Sequence, residues 1–253
     1  MITAADGSPP VPQGFGEGVF SMERTMRIGA GTTAKASKSI AYFFVRELGE
    51  DLVEVRPLGP DNTPVGPGEK ISKDKLLKNY MPEPSRYQTD VLPKLREAQK
   101  AVARGDKFRK RGESFTAEFE YGKALKIDDF NVRANFGIGL CYLQRGEAQK
   151  AHEVFERIVA MESAFEEEHK HLFNEFGINL RKQGMLDEAV EYYSRALGFA
   201  RDDENLHYNI ARANYDKGDN KKAVEHLKKC LELNPGHEET RKFIAFLKKK
   251  QLD

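Results

Sequence analysis

Carboxylates and imidazoles crowd one short stretch of the chain, from Glu166 to His171. Glutamate oxygens and histidine nitrogens are ordinary zinc ligands, so the residue types in this stretch fit a metal site. Their spacing does not fit, because His169 and His171 are not four positions apart on a helix face and no cysteine is near. We therefore expect no bound metal and no cofactor.

Catalytic side chains elsewhere in the chain do not form a recognised pattern. The sequence has no Gly-x-Ser-x-Gly turn, no His-Glu-x-x-His pair and no Walker loop. Its histidines and carboxylates are scattered over segments of helical periodicity, with no spacing that would bring them into one pocket. The sequence therefore predicts a protein that is not an enzyme.

The composition of the chain excludes several classes of protein. The 253 residues carry 41 basic and 40 acidic side chains, a net charge of +1, which provides no global attraction to nucleic acid or to an anionic membrane. No run of 18 apolar residues occurs, so we expect no membrane-spanning helix. Cys141 and Cys230 stand at apolar positions, which predicts buried thiols in a reducing compartment and a cytoplasmic protein.

Glycines mark a repeat in the carboxyl-terminal part of the chain. Gly112, Gly146, Gly184 and Gly218 are separated by 34, 38 and 34 residues. A small residue follows each glycine after five positions, and a bulky apolar residue follows after nine. The small residues are Ala117, Ala151, Ala189 and Ala223, and the bulky ones are Tyr121, Phe155, Tyr193 and Leu227.

A period of 34 residues in a helix-turn-helix pattern resembles the tetratricopeptide repeat family, over about residues 98–237. The resemblance implies a mainly α-helical solenoid, in which each helix pair buries its apolar face against the next pair. Three full repeats follow one degenerate repeat, in which Arg104 stands where an apolar residue normally packs. Small residues seven positions before the glycines would let paired helices approach closely; they are Gly105, Gly139, Gly177 and Ala211.

The sequence divides into four segments. Residues 1–18 are rich in glycine and proline and predict a flexible leader. Residues 19–84 contain β-branched and aromatic runs, which predict a small antiparallel β module, either SH3-like or an open sheet, ending in a short helix capped by Ser72. Residues 91–237 form the predicted solenoid, and residues 238–253 predict a cap helix that covers its open end.

The first helices of tetratricopeptide repeats line a concave groove that binds ligand. Carried onto this sequence, the ligand-contacting positions of the family imply a peptide-binding groove that grades from apolar to polar and aromatic. In it, Arg181 and Arg212 would hold carboxylates of the ligand, whereas Phe136 and Leu140 could instead pack on the β module or the opening helix. The implied groove residues are Phe136, Leu140, Asn174, Ile178, Arg181, Tyr208, Asn209, Arg212 and Tyr215.

The sequence therefore predicts an adaptor or scaffold that binds a protein or peptide with acidic residues in this groove. The alternative is a nucleic-acid-associated protein, because the strip from Arg24 to Arg46 contains five basic residues and no acidic one. In that alternative the strip contacts phosphates while the repeats recruit a partner. A third alternative is homo-oligomerisation through the groove or the leader.

Overall fold

The computed structural model describes residues 16–28, 35–166 and 169–250. The amino-terminal part of these forms an antiparallel sheet with strand order β4-β3-β2-β1-β5. Among the described residues no pairing joins β4 to β5, so these two strands form the ends of the strand order. The strands are β1 Glu17–Ile28, β2 Lys35–Glu47, β3 Leu52–Pro57, β4 Glu69–Ser72 and β5 Met81–Pro82.

Both faces of the sheet are buried. Phe43 packs on one face with Leu76 of helix α1, Lys73–Asn79. Its neighbour Phe44 packs on the other face with Val91. Successive side chains of a strand point to opposite faces, so a strand that is buried on both sides needs consecutive apolar residues. This explains why the middle of β2 is a continuous apolar run.

The short elements around α1 differ in how readily the sequence predicts them. The Ser72 hydroxyl accepts a hydrogen bond from the Lys75 amide at 3.2 Å, which confirms the predicted N-cap. Strands β4 and β5 were not predicted, because four and two residues are too short to show a period. Both strands lie at the ends of the strand order. Their pairing with neighbouring strands does not require a periodic pattern in their own short sequences.

The described residues form two compact units. The first contains the described residues up to 103 together with 123–131, and the second contains 104–122 and 132–250. The predicted boundary at residues 84–91 therefore lies inside the first unit. The reason is that Val91 is buried against Val19 and Phe44 of the sheet.

A buried arginine holds the first unit together. Arg56 of β3 is only 5% exposed. Its Nη1 donates to Asp128 Oδ1 at 2.7 Å, and its Nη2 donates to Asp129 Oδ1 at 3.3 Å. Its Nε donates to the Gly66 carbonyl at 3.0 Å, and the Phe130 ring centroid lies 5.6 Å from the guanidinium carbon. Residues 128–130, which connect two repeat helices, are thereby joined to the sheet.

Antiparallel helix pairs follow the sheet in the order that the repeat predicts. The extra residues between the first and second full pairs lie in a connection with a 3-10 turn at Glu162–Phe165, and do not lengthen the helices beside it. The helices after α1 are α2 Pro84–Arg86, which leads through a π-helical turn into α3 Leu92–Lys110, then α4 Ser114–Ile127, α5 Val132–Arg145, α6 Ala148–Ala160, α7 Lys170–Lys182, α8 Leu186–Phe199, α9 Glu204–Asp216, α10 Asn220–Leu233 and α11 Glu238–Lys249.

The four repeat glycines end the first helix of each pair. Gly112, Gly146, Gly184 and Gly218 all have a positive φ, from 72° to 86°. A side chain would be strained in this conformation, which is why glycine follows these helices. The next amide then reaches back over the turn, as Met185 N does to the Leu180 carbonyl at 3.0 Å. The predicted equivalence of the four turns is confirmed.

Small residues allow the paired helices to touch. A Cβ atom placed on Gly105 would lie 2.6 Å from the Tyr121 ring, and one placed on Gly177 would lie 2.5 Å from the Tyr193 ring. Both distances are shorter than a van der Waals contact. The predicted combination of a small residue on one helix with a bulky one on the next is therefore confirmed in these two repeats.

Candidate peptide-binding cleft

Three helices position the candidate site, and hydrogen bonds define where two of them begin. At the start of α9, the Asp203 carboxylate accepts from the amides of Asn205 and Leu206, at 2.9 and 3.2 Å. At the start of α11, the His237 ring accepts from the Thr240 amide at 3.2 Å. Helix α7 ends at the Gly184 turn, which places Arg181 in its last turn.

Side chains from these helices line one cleft, with a volume of about 410 Å³. Four of them are predicted groove residues, Arg181, Tyr208, Arg212 and Tyr215. They come from α7 and α9, whose order along the solenoid puts residues 34 positions apart side by side. The other residues that line the cleft are Asp216, Glu239, Lys242 and Phe243.

Aromatic rings form one wall of the cleft. The ring centroids of Tyr215 and Phe243 are 5.3 Å apart at an interplanar angle of 86°, an edge-to-face contact. Tyr208 contacts Phe243 in the same manner at 6.4 Å. Such contacts hold the rings in place while their remaining surface stays available to an apolar ligand group.

The two arginines of the cleft have different partners. Arg181 makes an ion pair with Asp216, so its guanidinium is already oriented. The Arg212 guanidinium carbon lies 5.7 Å from the Tyr208 ring centroid. Within residues 16–28, 35–166 and 169–250, no carboxylate lies within ion-pairing distance of Arg212. Arg212 thus keeps donors for a ligand.

A buried phenol lies close to both arginines. Burial raises the pKa of the Tyr193 hydroxyl, and the positive charges of Arg181 and Arg212 act in the opposite direction. Because burial dominates, Tyr193 is neutral at physiological pH and adds no negative charge near the two arginines. The Tyr193 hydroxyl therefore does not neutralise the positive charge of Arg212.

Two predicted groove residues lie elsewhere. Phe136 is fully buried and Leu140 is 4% exposed, so neither presents a surface to a ligand. Phe136 packs edge to face on Phe176, at 5.6 Å between ring centroids, because the apolar face of the first full repeat is covered by the second. The predicted apolar half of the groove is thereby corrected, because both side chains are buried. The contact of Phe136 is with the next repeat, whereas the alternative that the sequence left open placed it on the β module or the opening helix.

The remaining predicted residues do not all join the cleft. Asn174 lines a separate small pocket with Phe173 and Lys170. Ile178 and Asn209 are half-buried on α7 and α9. Their ligand contacts stay a prediction.

Sequence reasoning missed the wall that α11 provides. Glu239, Lys242 and Phe243 each lie 34 positions after a residue of α9, namely Asn205, Tyr208 and Asn209. The same family register, extended by one more period, would have found them. We assigned residues 238–253 only to a cap helix and did not extend the repeat register to them. A cap helix occupies the position that the first helix of a further repeat would have.

Two arginines of the opening helix α3 form ion pairs within the chain. Arg109 donates to Glu175 through both terminal nitrogens, at 2.6 and 3.3 Å, and Arg104 donates to Glu120 at 2.6 Å. Each pairing places the arginine against a neighbouring helix of the same unit. The opening helix therefore uses these charges for packing.

Acidic partners also lie beside the strip from Arg24 to Arg46. Lys38 pairs with Glu23 at 3.1 Å, and Arg46 pairs with Glu54 at 3.2 Å. Both acids lie outside residues 24–46 in the sequence. Antiparallel strand pairing places each of them beside its basic partner in the sheet. Binding of nucleic acid to this strip stays a prediction.

The stretch from Glu166 to His171 is only partly described, since residues 167 and 168 lie outside the described ranges. His169 Nδ1 lies 3.1 Å from the Ser163 carbonyl oxygen. In the described part of the chain, no group of three or more potential ligands is arranged to hold a metal ion.

Comparison with known families agrees with this geometry. Family models described as tetratricopeptide repeat match residues 95–164, 172–203 and 204–237. The chain belongs to the tetratricopeptide repeat family. Proteins of this family are in general non-enzymatic adaptors, and the chain is accordingly a protein-interaction adaptor or scaffold.

Three solved structures to which this chain is similar can be named. YrrB, described as a TPR protein with an unusual peptide-binding site, is 20% identical, with 58% of this chain and 74% of that chain covered and a TM-score of 0.45. The pilF protein of Pseudomonas aeruginosa is 19% identical, with 62% and 70% covered and a TM-score of 0.47. MamA from Desulfovibrio magneticus RS-1 is 16% identical, with 61% and 85% covered and a TM-score of 0.48.

No curated protein matches the sequence. Among the helices described, none combines the length and the apolar character needed to cross a membrane.

Proposed function

We propose that the cleft between α7, α9 and α11 binds an acidic peptide segment of a partner protein. The observation that carries this proposal is Arg212, which lies over an aromatic ring in a cleft and has no carboxylate partner among the described residues. A guanidinium presents several donors in a planar fork that matches a carboxylate. An acidic side chain is therefore the group that complements it.

The surroundings of Arg212 define a second requirement for the ligand. Tyr208, Tyr215 and Phe243 offer aromatic surface beside the guanidinium. An apolar side chain of the peptide would cover this surface, and the carboxylate next to it would reach Arg212. Arg181 supports the site as an oriented charge, because Asp216 already holds it.

The experiment uses synthetic peptides immobilised as an array and probed with the full chain. Each peptide carries two adjacent glutamates beside one leucine or phenylalanine, and its matched control carries glutamine in place of glutamate. We expect binding to the acidic peptides and at least about tenfold weaker binding to the glutamine controls, equivalent to about 1.4 kcal/mol. Equal binding to both sets would contradict the proposal.

A variant then assigns the binding to the cleft. Arg212→Gln keeps a polar side chain but removes the charge, so we expect it to lose the preference for acidic peptides. Arg201→Gln is the matched control, because Arg201 is an exposed arginine of the connection between α8 and α9. Loss of binding in both variants, or in neither, would place the peptide site elsewhere.

A further inference from the structure

Two highly exposed phenylalanines lie on one face of α4. Phe115 is 73% exposed and Phe119 is 65% exposed, the highest fractions among the large apolar residues of the described chain. They are four positions apart in one helix, so they are neighbours on its surface. Adjacent aromatic rings exposed to this degree are typical of a surface that another molecule covers.

The other repeats of the same chain show what these positions ordinarily carry. The residues equivalent to Phe115 and Phe119, counted from the repeat glycines, are polar or charged in all three following repeats. All of them are exposed. The repeat fold therefore does not require an aromatic residue at either position. The equivalents of Phe115 are Gln149, Asp187 and Lys221, and those of Phe119 are Glu153, Glu191 and Glu225.

A glycine lies on the same face, three positions after Phe119. A Cβ atom placed on Gly122 would meet no atom within 4 Å, so no contact inside the chain requires a glycine there. Glycine within a helix is less stable than alanine, and the following repeats carry Glu156, Ser194 and Lys228 at this position. A glycine at this exposed position leaves room for a close approach from outside the chain.

We propose that Phe115, Phe119 and Gly122 form a self-association surface, on which α4 of a second copy of this chain packs in the antiparallel direction. A twofold axis near the middle of the helix places Phe119 of each copy against Gly122 of the other. The same patch then serves both subunits, as a closed dimer requires. Phenylalanine fills the depression that the missing side chain leaves.

The dipole of α4 favours the antiparallel direction. Antiparallel packing places the positive amino-terminal end of α4 in each copy beside the negative carboxyl-terminal end in the other, whereas parallel packing would bring like ends together.

Phe115 is positioned before a second copy arrives. The Arg145 guanidinium carbon lies 4.3 Å from the Phe115 ring centroid. Arg145 is in turn held by ion pairs to Glu118 and Glu147. A ring that is already oriented loses less conformational freedom on association, which strengthens binding. None of these residues lines the cleft between α7, α9 and α11.

Sedimentation velocity of the full chain at increasing concentration tests the proposal. We expect a reversible shift from monomer to dimer mass. The double variant Phe115→Gln with Phe119→Glu introduces the residues that the first full repeat carries, Gln149 and Glu153, so it should fold normally. Its dissociation constant should rise at least about tenfold.

A second variant separates association from folding. Gly122→Glu introduces the residue of the next repeat, Glu156, and should raise the melting temperature of the monomer because glycine is a poor helix former. It should also weaken the dimer, because the added side chain fills the depression. Glu153→Gln, at the exposed equivalent of Phe119, is the control and should change neither property.

Three outcomes would overturn the self-association surface. The first is a chain that stays monomeric at the highest concentration, even if the patch binds a different protein. The second is a dimer that survives both the double variant and Gly122→Glu. The third is a dimer that Glu153→Gln disrupts as strongly, because the contact would then lie on another repeat.

Discussion

Arg56 and Arg212 belong to different units of the molecule and meet opposite surroundings. Arg56 is 5% exposed and has a carboxylate or carbonyl partner for each of its three nitrogens. Arg212 is half-buried, lies over Tyr208 and has no carboxylate partner in the described chain. The first arginine is buried with each of its nitrogens already engaged inside the chain, and the second keeps donors for a ligand.

The difference between these arginines separates structural from binding charges. A buried guanidinium whose nitrogens all have partners joins distant parts of the chain. Its removal takes the cation away from the carboxylates that pair with it. A guanidinium on an aromatic ring costs little to keep oriented and retains its hydrogen-bonding capacity. The sequence does not distinguish these two arginines. Their surroundings in the structure show which one is structural and which one is available for binding.

The largest expected effect is that of Arg56→Ala. The change removes the Arg56 guanidinium from Asp128, whose side chain is 16% exposed, and from the more exposed Asp129. We expect the free energy of unfolding to fall by about 3 kcal/mol. Urea unfolding followed by circular dichroism measures this. A wild-type unfolding midpoint would show that Arg56 does not stabilise the first unit.

A glycine pair tests the close packing of the second unit. Gly177→Ala would place a Cβ atom 2.5 Å from the Tyr193 ring, so we expect stability to fall by about 1–3 kcal/mol. Gly198→Ala is its control in the same repeat, because a Cβ atom there meets nothing within 4 Å. That variant should gain about 0.5–1 kcal/mol. Thermal unfolding of the two variants should therefore change in opposite directions.

Acidic pH should weaken the last repeat through a histidine pair. The Nδ1 atoms of His207 and His226 are 3.0 Å apart, and burial lowers the pKa of both rings. The unfolded chain then binds more protons, so stability is unaffected above the ordinary histidine pKa near 6.5 and falls as pH drops below it. Nearby charges modify the shift: Lys229 lowers the pKa of both rings, Asp203 and Glu232 raise that of His207, and Glu225 raises that of His226.

Urea unfolding at about pH 7.5 and about pH 5.5 measures this dependence. His226→Gln removes one titrating ring and keeps hydrogen-bonding groups, so the stability difference between the two pH values should shrink. A variant with the full wild-type difference would assign the pH dependence to other groups.

The smallest expected change in stability is that of Arg212→Ala. Arg212 makes no ion pair among the described residues, so the free energy of unfolding should stay within about 0.5 kcal/mol of wild type. The acidic-peptide preference should nevertheless disappear in the same preparation. A destabilisation as large as that of Arg56→Ala would remove the contrast between the two arginines.

Local signals made much of the fold predictable. The positive φ of Gly184 and its three equivalents is a constraint on single residues, and the approach of Gly177 to Tyr193 involves helices that are adjacent in sequence. Strands β4 and β5 escaped prediction because their pairing depends on distant segments. The boundary of the first unit escaped for the same reason, since Val91 packs on strands that lie far upstream.

The candidate site was predictable only in part. Four residues that the family register selected line the cleft between α7, α9 and α11, because a regular period places equivalent side chains in one row. It could not show that Phe136 and Leu140 are covered by the next repeat, since burial depends on side chains from other helices. Nor did it include Phe243, which required the last helix to be treated as part of the groove.

By itself, the sequence determined the repeat period, the glycine turns and the small residues between helices, because these follow from backbone conformation and from contacts between neighbouring helices. The tertiary structure alone decided which charged side chains are satisfied. Arg56 meets Asp128 across 72 positions of sequence, and Arg212 meets only an aromatic ring. Electrostatic interactions depend on distance in space, which the order of residues along the chain does not specify.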